Sequence, residues 1–415
     1  MAIKTIRVKN FKSFKDVEVH LGNFNVLIGA NASGKSNFIQ IIQFLRDIQR
    51  HGLDNAISLQ GGPEYLTNLN IGTRENLSAE VVVLGDSYTE WVLIGESRSA
   101  DSSLVLEPRE SRYCFTVGYH KNGGGFDIVG ERLSVKGEIC VVPGSGTGSE
   151  QRQGHGEIVI VREGGRPSAN VTLPEGLSLD QYEVVPRMSP DILGRLLFLQ
   201  YAPFSSGVIM EDVAIYDFDP KLPKKGTPIT GKAELEEDGS NLAIVLKRIM
   251  EDESARRNLT NLLQYLLPYV ADLDVERFAD KSLLFSLREK FAENKPVPAS
   301  SISDGTINVA ALIVALYFER KPIAIFEEPE RNVHPHLISR IVGMMKEASQ
   351  RKQIIVTTHN PEVVRNTDIA DVHLVSRDAE GFSTITKPSE QEDVKGFLQN
   401  EIGLEELFVQ NLLHN

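Results

Sequence analysis

Residues 24–42 read FNVLIGANASGKSNFIQII. Phe24–Ile28 is a short apolar run of the kind that forms a buried strand, and Ser36–Gln49 carries apolar residues at Phe38, Ile41, Ile42 and Leu45, which is helical spacing. Between them, Gly29-Ala30-Asn31-Ala32-Ser33-Gly34-Lys35-Ser36 matches G-x-x-x-x-G-K-[ST] in the context that pattern requires, a strand before and a helix after. Glycine at both ends lets the backbone wrap tightly, so that successive N–H groups point at a phosphate and the positive end of the following helix adds to their field. Lys35 is then expected to reach the β- and γ-phosphates of a nucleoside triphosphate, and the Ser36 hydroxyl to ligate Mg²⁺. A chance match in a glycine-rich turn is the bland alternative, and the flanking strand and helix count against it.

The surrounding chain has 415 residues, 41% hydrophobic and 24% charged, which excludes disorder and fibrous repeats as overall descriptions and leaves room for more than one domain. No apolar run reaches the ~18 residues needed to cross a bilayer. The N-terminal MAIKTIRVKNFKSF lacks the apolar block of a signal peptide, and the 2 cysteines, Cys114 and Cys140, give neither a disulfide framework nor metal-ligand spacing. A cytoplasmic location without a membrane partner is the expectation. The net charge of −13 repels polyanions, so DNA or RNA would have to be met by a local basic patch. Lys221, Lys224, Lys225 and Lys232, in a turn-rich loop, are the candidates; a solvated surface is the plain alternative.

Along the chain, Ile3–Val8, Asp16–His20 and Phe24–Ile28 read as strands. From about Asn76 to Asn170, strand-like runs separated by Gly, Pro, Ser and Asp clusters read as an antiparallel meander, with Pro143–Gly156 as a mobile loop because nothing apolar anchors it. Helical periodicity returns at Pro190–Tyr201 and Asn241–Val270. Ser300–Val375 alternates helix (Ile307–Phe318), strand (Ile323–Phe326), helix (His336–Ala348), strand (Gln353–Thr357) and strand (Val372–Val375), and Ser389–Leu413 reads as a docked helical pair. The expected organisation is a P-loop core of 1–75 and 300–385, a β-rich insertion at 76–185, a helical segment at 186–299 and a helical tail at 386–415.

Ile323–Phe326 ends in Glu327-Glu328. Neighbours on a strand point to opposite sides, so the two acids should have different tasks. Glu327 is assigned to Mg²⁺ through its water shell, and Glu328 to polarising the water that attacks the γ-phosphate. The strand Ile354–Thr358 ends in His359, which in a P-loop sheet faces the same crevice and can donate to the γ-phosphate. His334 and His336 flank Pro335 and read as a helix entry rather than a metal site.

Taken in order, these motifs resemble a known superfamily. NFKSFKDVEVHLGNFNVLIGANASGKSN (10–37) looks like the head of structural-maintenance-of-chromosomes (SMC) and RecF-type ATPases. SISDGT (301–306) looks like the ABC signature, and IAIFEEPERNVHP (323–335) and VTTHNPEVV (356–364) look like the Walker B, D-loop and switch-histidine segments. Together they most resemble the small AAA-type ATPases grouped with the OLD-family ATPase domain, often found in antiphage and plasmid-exclusion systems. The fold this implies is α/β: a P-loop NTPase with an ABC-type head, a mixed β-sheet core flanked by helices, and a β-rich antiparallel insertion.

The resemblance further implies ATP and Mg²⁺ as cofactors and a homodimer, or a higher oligomer, closed around ATP. Each copy would offer Ser303, Asp304, Gly305 and Thr306 to the nucleotide held by the other. By the same resemblance, Lys12 lies near the nucleotide with Asn37 and the loop Gly29–Ser36. An ordinary helix N-cap explains Ser303–Thr306 equally well. The family's Q-loop glutamine has two candidates, Gln60 and Gln200.

Departures narrow the choice of relative. No sustained heptad run provides coiled-coil arms. The stretch after His359 is too short for the Toprim nuclease domain of OLD-type proteins, and Glu327 stands where Walker B strands usually carry aspartate. The expected function is a slow ATPase (ATP + water to ADP + phosphate). As a switch, it would control nucleic-acid engagement or a separate effector protein, in antiphage defence or DNA maintenance. The alternatives are a self-sufficient metal-dependent nuclease, for which the insertion shows no compact acidic constellation, and a transporter ATPase subunit.

Overall fold

The computed structural model describes residues 1–85, 91–99, 101–120, 125–144, 150–163, 166–184, 197–200, 210–229, 231–278, 281–292, 295–391 and 404–409. The chain divides into two compact units. One comprises Met1–Gly22, Ser36–Asp212 and Ser376–Ile385, and the other Asn23–Lys35, Val213–Val375 and Thr386–Asn415, so that one division falls between Lys35 and Ser36.

The second unit is built on parallel strands in the order Val213–Tyr216, Ile323–Glu327, Gln353–Thr358, Phe24–Ile28 and Val372–Arg377. All four pairings are parallel. Phe24–Ile28 and Gln353–Thr358 are buried at every residue, as their mostly apolar and β-branched runs suit central strands, with Asn25 and Gln353 the polar exceptions. The register aligns Glu327 with Thr357 and Thr358 with Ile28. Glu328, His359 and Gly29 are therefore the next residues beyond the same carboxyl edge, where open parallel sheets bind their ligands.

Helices Asp304–Tyr317, Pro335–Ala348, Leu242–Glu251 and Glu253–Leu266 contribute to one apolar core with these strands. Asp304–Tyr317 is apolar on all sides and buried from Thr306 to Leu316, as a helix inside a core should be. No helix among the described residues is long and apolar enough to cross a membrane.

The first unit carries a nine-stranded antiparallel sheet among its described residues, running Phe14–His20, Ala2–Phe11, Leu77–Leu84, Ser102–Tyr119, Phe126–Pro143, Gln151–Glu163, Arg166–Thr172, with Val92–Ser97 paired to Ser102–Tyr119 and Tyr182–Val184 paired to Val92–Ser97. The strands expected as an insertion thus extend a sheet begun by the N-terminal hairpin. Helices Lys35–His51, Leu53–Leu59 and Pro63–Leu66 follow the glycine loop in the chain. Arg162, 2% exposed, is ion-paired with Glu131 at 3.0 Å inside this unit, and its guanidinium lies 5.0 Å from the centre of the Phe198 ring.

Several expectations are corrected. The loop expected at Pro143–Gly156 is instead largely strand: Gln151–Gly156 pairs with Gly137–Val141, because ladder hydrogen bonds need no apolar anchor; residues 145–149 lie outside the described residues. The helical run at Asn241–Val270 breaks at Asp252, whose Oδ1 accepts from Ala255 N at 2.7 Å and caps the second helix, and Val270 already begins a strand. That strand, Val270–Phe278, pairs antiparallel with Ser282–Glu289, a hairpin absent from the expectations above although Asp272–Glu276 alternates polar and apolar. Of Pro190–Tyr201 only Leu197–Gln200 is described, and there Phe198–Gln200 forms a 3₁₀ turn. Of the helical tail, Leu404–Val409 is described, with Leu407 in the core.

Candidate active site

The glycine loop leaves the buried strand Phe24–Ile28 and turns into helix Lys35–His51 through two left-handed residues, Ala32 (φ 63°) and Gly34 (φ 121°). Gly29 permits the tightest approach: a Cβ there would run into the Val375 carbonyl oxygen and the Ser33 hydroxyl. Lys35 is 8% exposed, and its Nζ donates to the carbonyl oxygens of Gly29 at 2.8 Å and Ala30 at 3.0 Å. Burial lowers its pKa, with Glu328 and Glu330 pulling the other way. An ammonium held in this way has two neutral acceptors and a shortage of anionic ones, which a phosphate would supply.

At the neighbouring strand ends, Glu328 has a left-handed backbone (φ 44°), with its N–H bonded to Thr357 O at 2.9 Å. Its Oε1 lies 2.7 Å from Nδ1 of His359, and its Oε2 accepts from Arg331 at 3.3 Å. Arg331 in turn donates to Asp217 Oδ1 at 3.0 Å. A carboxylate fixed from both sides, beside a histidine and coupled electrostatically to a buried lysine, has the chemistry a general base needs. Of the acids at this edge, Glu330 is the most deeply buried, at 6% exposed. Its Oε1 accepts from the Thr358 hydroxyl, its Oε2 has no partner among the described residues, and burial raises its pKa. The sequence reading passed over Glu330, Arg331 and Asp217. The E-E-P-E spacing was the available signal for the first, and only the fold brings in the other two.

Ser303 caps helix Asp304–Tyr317: its Oγ accepts from Thr306 N at 3.2 Å and lies 2.7 Å from the Thr306 hydroxyl, which also meets the Tyr269 hydroxyl at 2.7 Å. Gly305 admits no side chain, since a Cβ would strike the Asn332 carbonyl oxygen. Ser303, Gly305 and Thr306 line a cleft of about 300 Å³ with Tyr269, Asn332 and His334. His334 is the N-cap of helix Pro335–Ala348, and its Nδ1 is 2.7 Å from that of His336. No cluster of three or more metal-binding side chains occurs among the described residues.

In the first unit, Lys12 (φ 47°) donates from its Nζ to Tyr65 O at 3.4 Å, and burial lowers its pKa. Asn37 donates to the Ser13 hydroxyl at 2.7 Å, and Lys12, Ser13 and Asn37 line one cleft of about 690 Å³ with Gln60, Tyr65 and Arg377. The fold therefore brings Lys12 and Asn37 together. Gln60 lines the same cleft, while Gln200 accepts from Leu197 N through its side chain. The four loop lysines do not behave as one basic patch. Lys224 is paired with Asp304 at 2.5 Å and Lys232 with Glu236 at 3.1 Å, leaving Lys221 and Lys225 exposed on the turn.

Two crystal structures of Smc head domains match nearly the whole chain. One, bound to the C-winged helix domain of ScpA, gives a TM-score of 0.53 at 15% identity over 93% of this chain and 98% of that one. The other carries an extended coiled coil and is bound to the C-terminal domain of ScpA derived from Pyrococcus furiosus; it gives 0.51 at 15% identity over 96% and 99%. The fold is that of an Smc head domain.

Family models match two parts of the head. Residues 1–83 match the family described as "AAA ATPase domain", and residues 212–365 the family described as "AAA domain, putative AbiEii toxin, Type IV TA system". A 58-residue stretch is 38% identical to Endonuclease GajA from Bacillus cereus, covering 14% of this chain and 10% of that protein. A 52-residue stretch is 40% identical to the DNA replication and repair protein RecF from Pediococcus pentosaceus, covering 12% and 14%. The chain thus matches only a small part of the length of these curated relatives.

Proposed function

We propose that this head binds ATP and hydrolyses it to ADP and phosphate, and that the cycle works as a switch. The observation that carries this reading is the Glu328–His359 contact of 2.7 Å at the strand edge whose electrostatics also reach Lys35. Lys35 would bind the β- and γ-phosphates, Glu328 would take the proton of the attacking water, and His359 would orient Glu328 and donate to the γ-phosphate. By the sequence reading, the Ser36 hydroxyl and the Glu327 carboxylate, acting through water, are the hard-oxygen donors that would hold Mg²⁺, which would supply charge neutralisation on the phosphates when bound.

The signature Ser303–Thr306 would act on ATP held by a second copy, since Ser303 is exposed at a helix N-terminus and a γ-phosphate could join two surfaces there. Turnover would be slow, because the base would be productive only in the closed dimer. The output would be engagement of DNA or RNA, or control of a separate effector protein, in antiphage defence or DNA maintenance and in the cytoplasm. The AAA and RecF likenesses support that direction.

Two measurements test this. Steady-state hydrolysis of ATP with Mg²⁺ should fall by at least ~100-fold in Lys35→Ala and in Glu328→Gln, the scale of losing a principal transition-state group. Glu328→Gln with ATP should accumulate a dimer in light scattering. Hydrolysis that survives Lys35→Ala removes the ATPase reading, and a permanently monomeric Glu328→Gln removes the switch.

A further inference from the structure

The turn that carries Glu328 and the strand end that carries His359 are joined by a second, buried link. Glu330 follows Glu328 by two residues, and Thr358 precedes His359. The Thr358 hydroxyl donates to Glu330 Oε1 and accepts from Asn360 N at 2.9 Å. Thr358 is 0% exposed and Glu330 6%. Asn360 is itself fixed, its Oδ1 accepting from Glu362 N at 2.9 Å at the start of the next helix. One hydrogen-bonded chain, carboxyl to hydroxyl to backbone N–H, therefore brackets His359 on both sides and ends on the loop that presents Glu328.

The Glu328–His359 contact needs such support. His359 and Glu328 are partly exposed, and Glu328 is held in a left-handed conformation that a non-glycine residue keeps only when its surroundings enforce it. Buried hydrogen bonds are stronger and geometrically stricter than exposed ones. Other neighbours do not substitute. Arg331 holds the opposite oxygen of Glu328, and the backbone bond from Glu328 N to Thr357 O fixes the turn without reaching past Thr358.

We propose that Glu330 is a positioning residue, whose hydrogen bond from Thr358 holds the His359 turn so that His359 and Glu328 meet in the geometry that hydrolysis requires. It acts through Thr358, and no role on the attacking water or the phosphate is assigned to it. The proposal rests on the ATPase reading for its kinetic consequence, but the link itself exists without nucleotide and can be tested without it.

The test compares Glu330→Ala, Glu330→Gln, Thr358→Val and Thr358→Ser in the full chain, with thermal unfolding to verify that each folds. Glu330→Ala and Thr358→Val should lower kcat about 10- to 100-fold and leave the KM for ATP within about twofold, the signature of misplaced chemistry with intact binding. Glu330→Gln keeps an acceptor oxygen and Thr358→Ser keeps the hydroxyl, so both should recover most of the loss. Hydrogen exchange at the Asn360 amide, measured without nucleotide, should accelerate in Glu330→Ala and Thr358→Val and return toward wild type in the other two. If Glu330→Gln is as impaired as Glu330→Ala, the carboxylate takes part in charge or proton transfer and the positioning role is wrong. Unchanged kcat in Thr358→Val overturns it equally. Should the wild-type chain fail to hydrolyse ATP, the function proposed above falls, and Asn360 exchange alone decides the link: unaltered exchange in Glu330→Ala would show that Glu330 holds nothing.

Discussion

Gly29 shows how little room the phosphate-facing loop has. The obstacle to a side chain there is the carbonyl oxygen of Val375, a backbone atom in a buried strand, which cannot rotate away as a flexible side chain would. In Gly29→Ala the loop must therefore move, and the N–H groups that should converge on a phosphate diverge with it. Titration with a fluorescent ATP analogue should show affinity at least ~10-fold weaker, about 1.4 kcal/mol or more, with thermal stability reduced far less than the binding. Equal affinity would mean that the loop does not hold phosphate through its backbone. Lys35, Glu328 and His359 could be found from the sequence because local spacing marks them: a loop pattern, and two apolar runs each ending in a chemically active residue. Glu330 could not be assigned a role in that way. Its burial and its bond with Thr358 come from the parallel register between two strands that are distant in the chain, which no local pattern encodes.

Helix Asp304–Tyr317 raises the same question for an element. Ser303 is engaged as its cap, so a simple deletion would confuse a structural role with one toward a second copy. Ser303→Ala should cost about 1 kcal/mol of stability as a lost N-cap. Ser303→Asp separates the roles, because aspartate caps as well as serine and favours the positive helix end. It should unfold within about 0.5 kcal/mol of wild type, yet in the Glu328→Gln background it should prevent the ATP-dependent dimer, since its carboxylate would face the γ-phosphate of the other copy. A dimer that survives Ser303→Asp would leave Ser303 as a cap and nothing more. At this scale the order of helices and strands across Ser300–Val375 was legible, because each run is long, apolar and punctuated. The hairpin Val270–Phe278 and Ser282–Glu289 was hidden at its start, where the helical run before it ends in apolar residues, although Asp272, Leu273, Asp274, Val275 and Glu276 alternate as a half-buried strand does. Gln151–Gly156 was hidden for a different reason, a strand specified by its partner's backbone and not by its own side chains.

For the whole molecule, the net charge of −13 makes self-association and polyanion binding respond to salt in opposite directions. Two copies carry like charge, so bringing them together meets a long-range repulsion that weakens as the Debye length shrinks from about 30 Å at 0.01 M to about 8 Å at 0.15 M. The contact proposed to favour closure, a signature helix N-terminus on a γ-phosphate, is short-ranged and enclosed and therefore screened far less. The ATP-bound Glu328→Gln dimer should accordingly become more populated when ionic strength is raised from 0.01 to 0.15 M, as read by light scattering at fixed protein and saturating ATP. Any binding of DNA or RNA should weaken over the same range, because it depends on released counterions. With Lys224 and Lys232 already paired to carboxylates, that binding should also have a shallow salt slope, set by few cations such as Lys221 and Lys225. A dimer that dissociates as salt rises would place charge pairs, and not shared nucleotide, at the centre of the association.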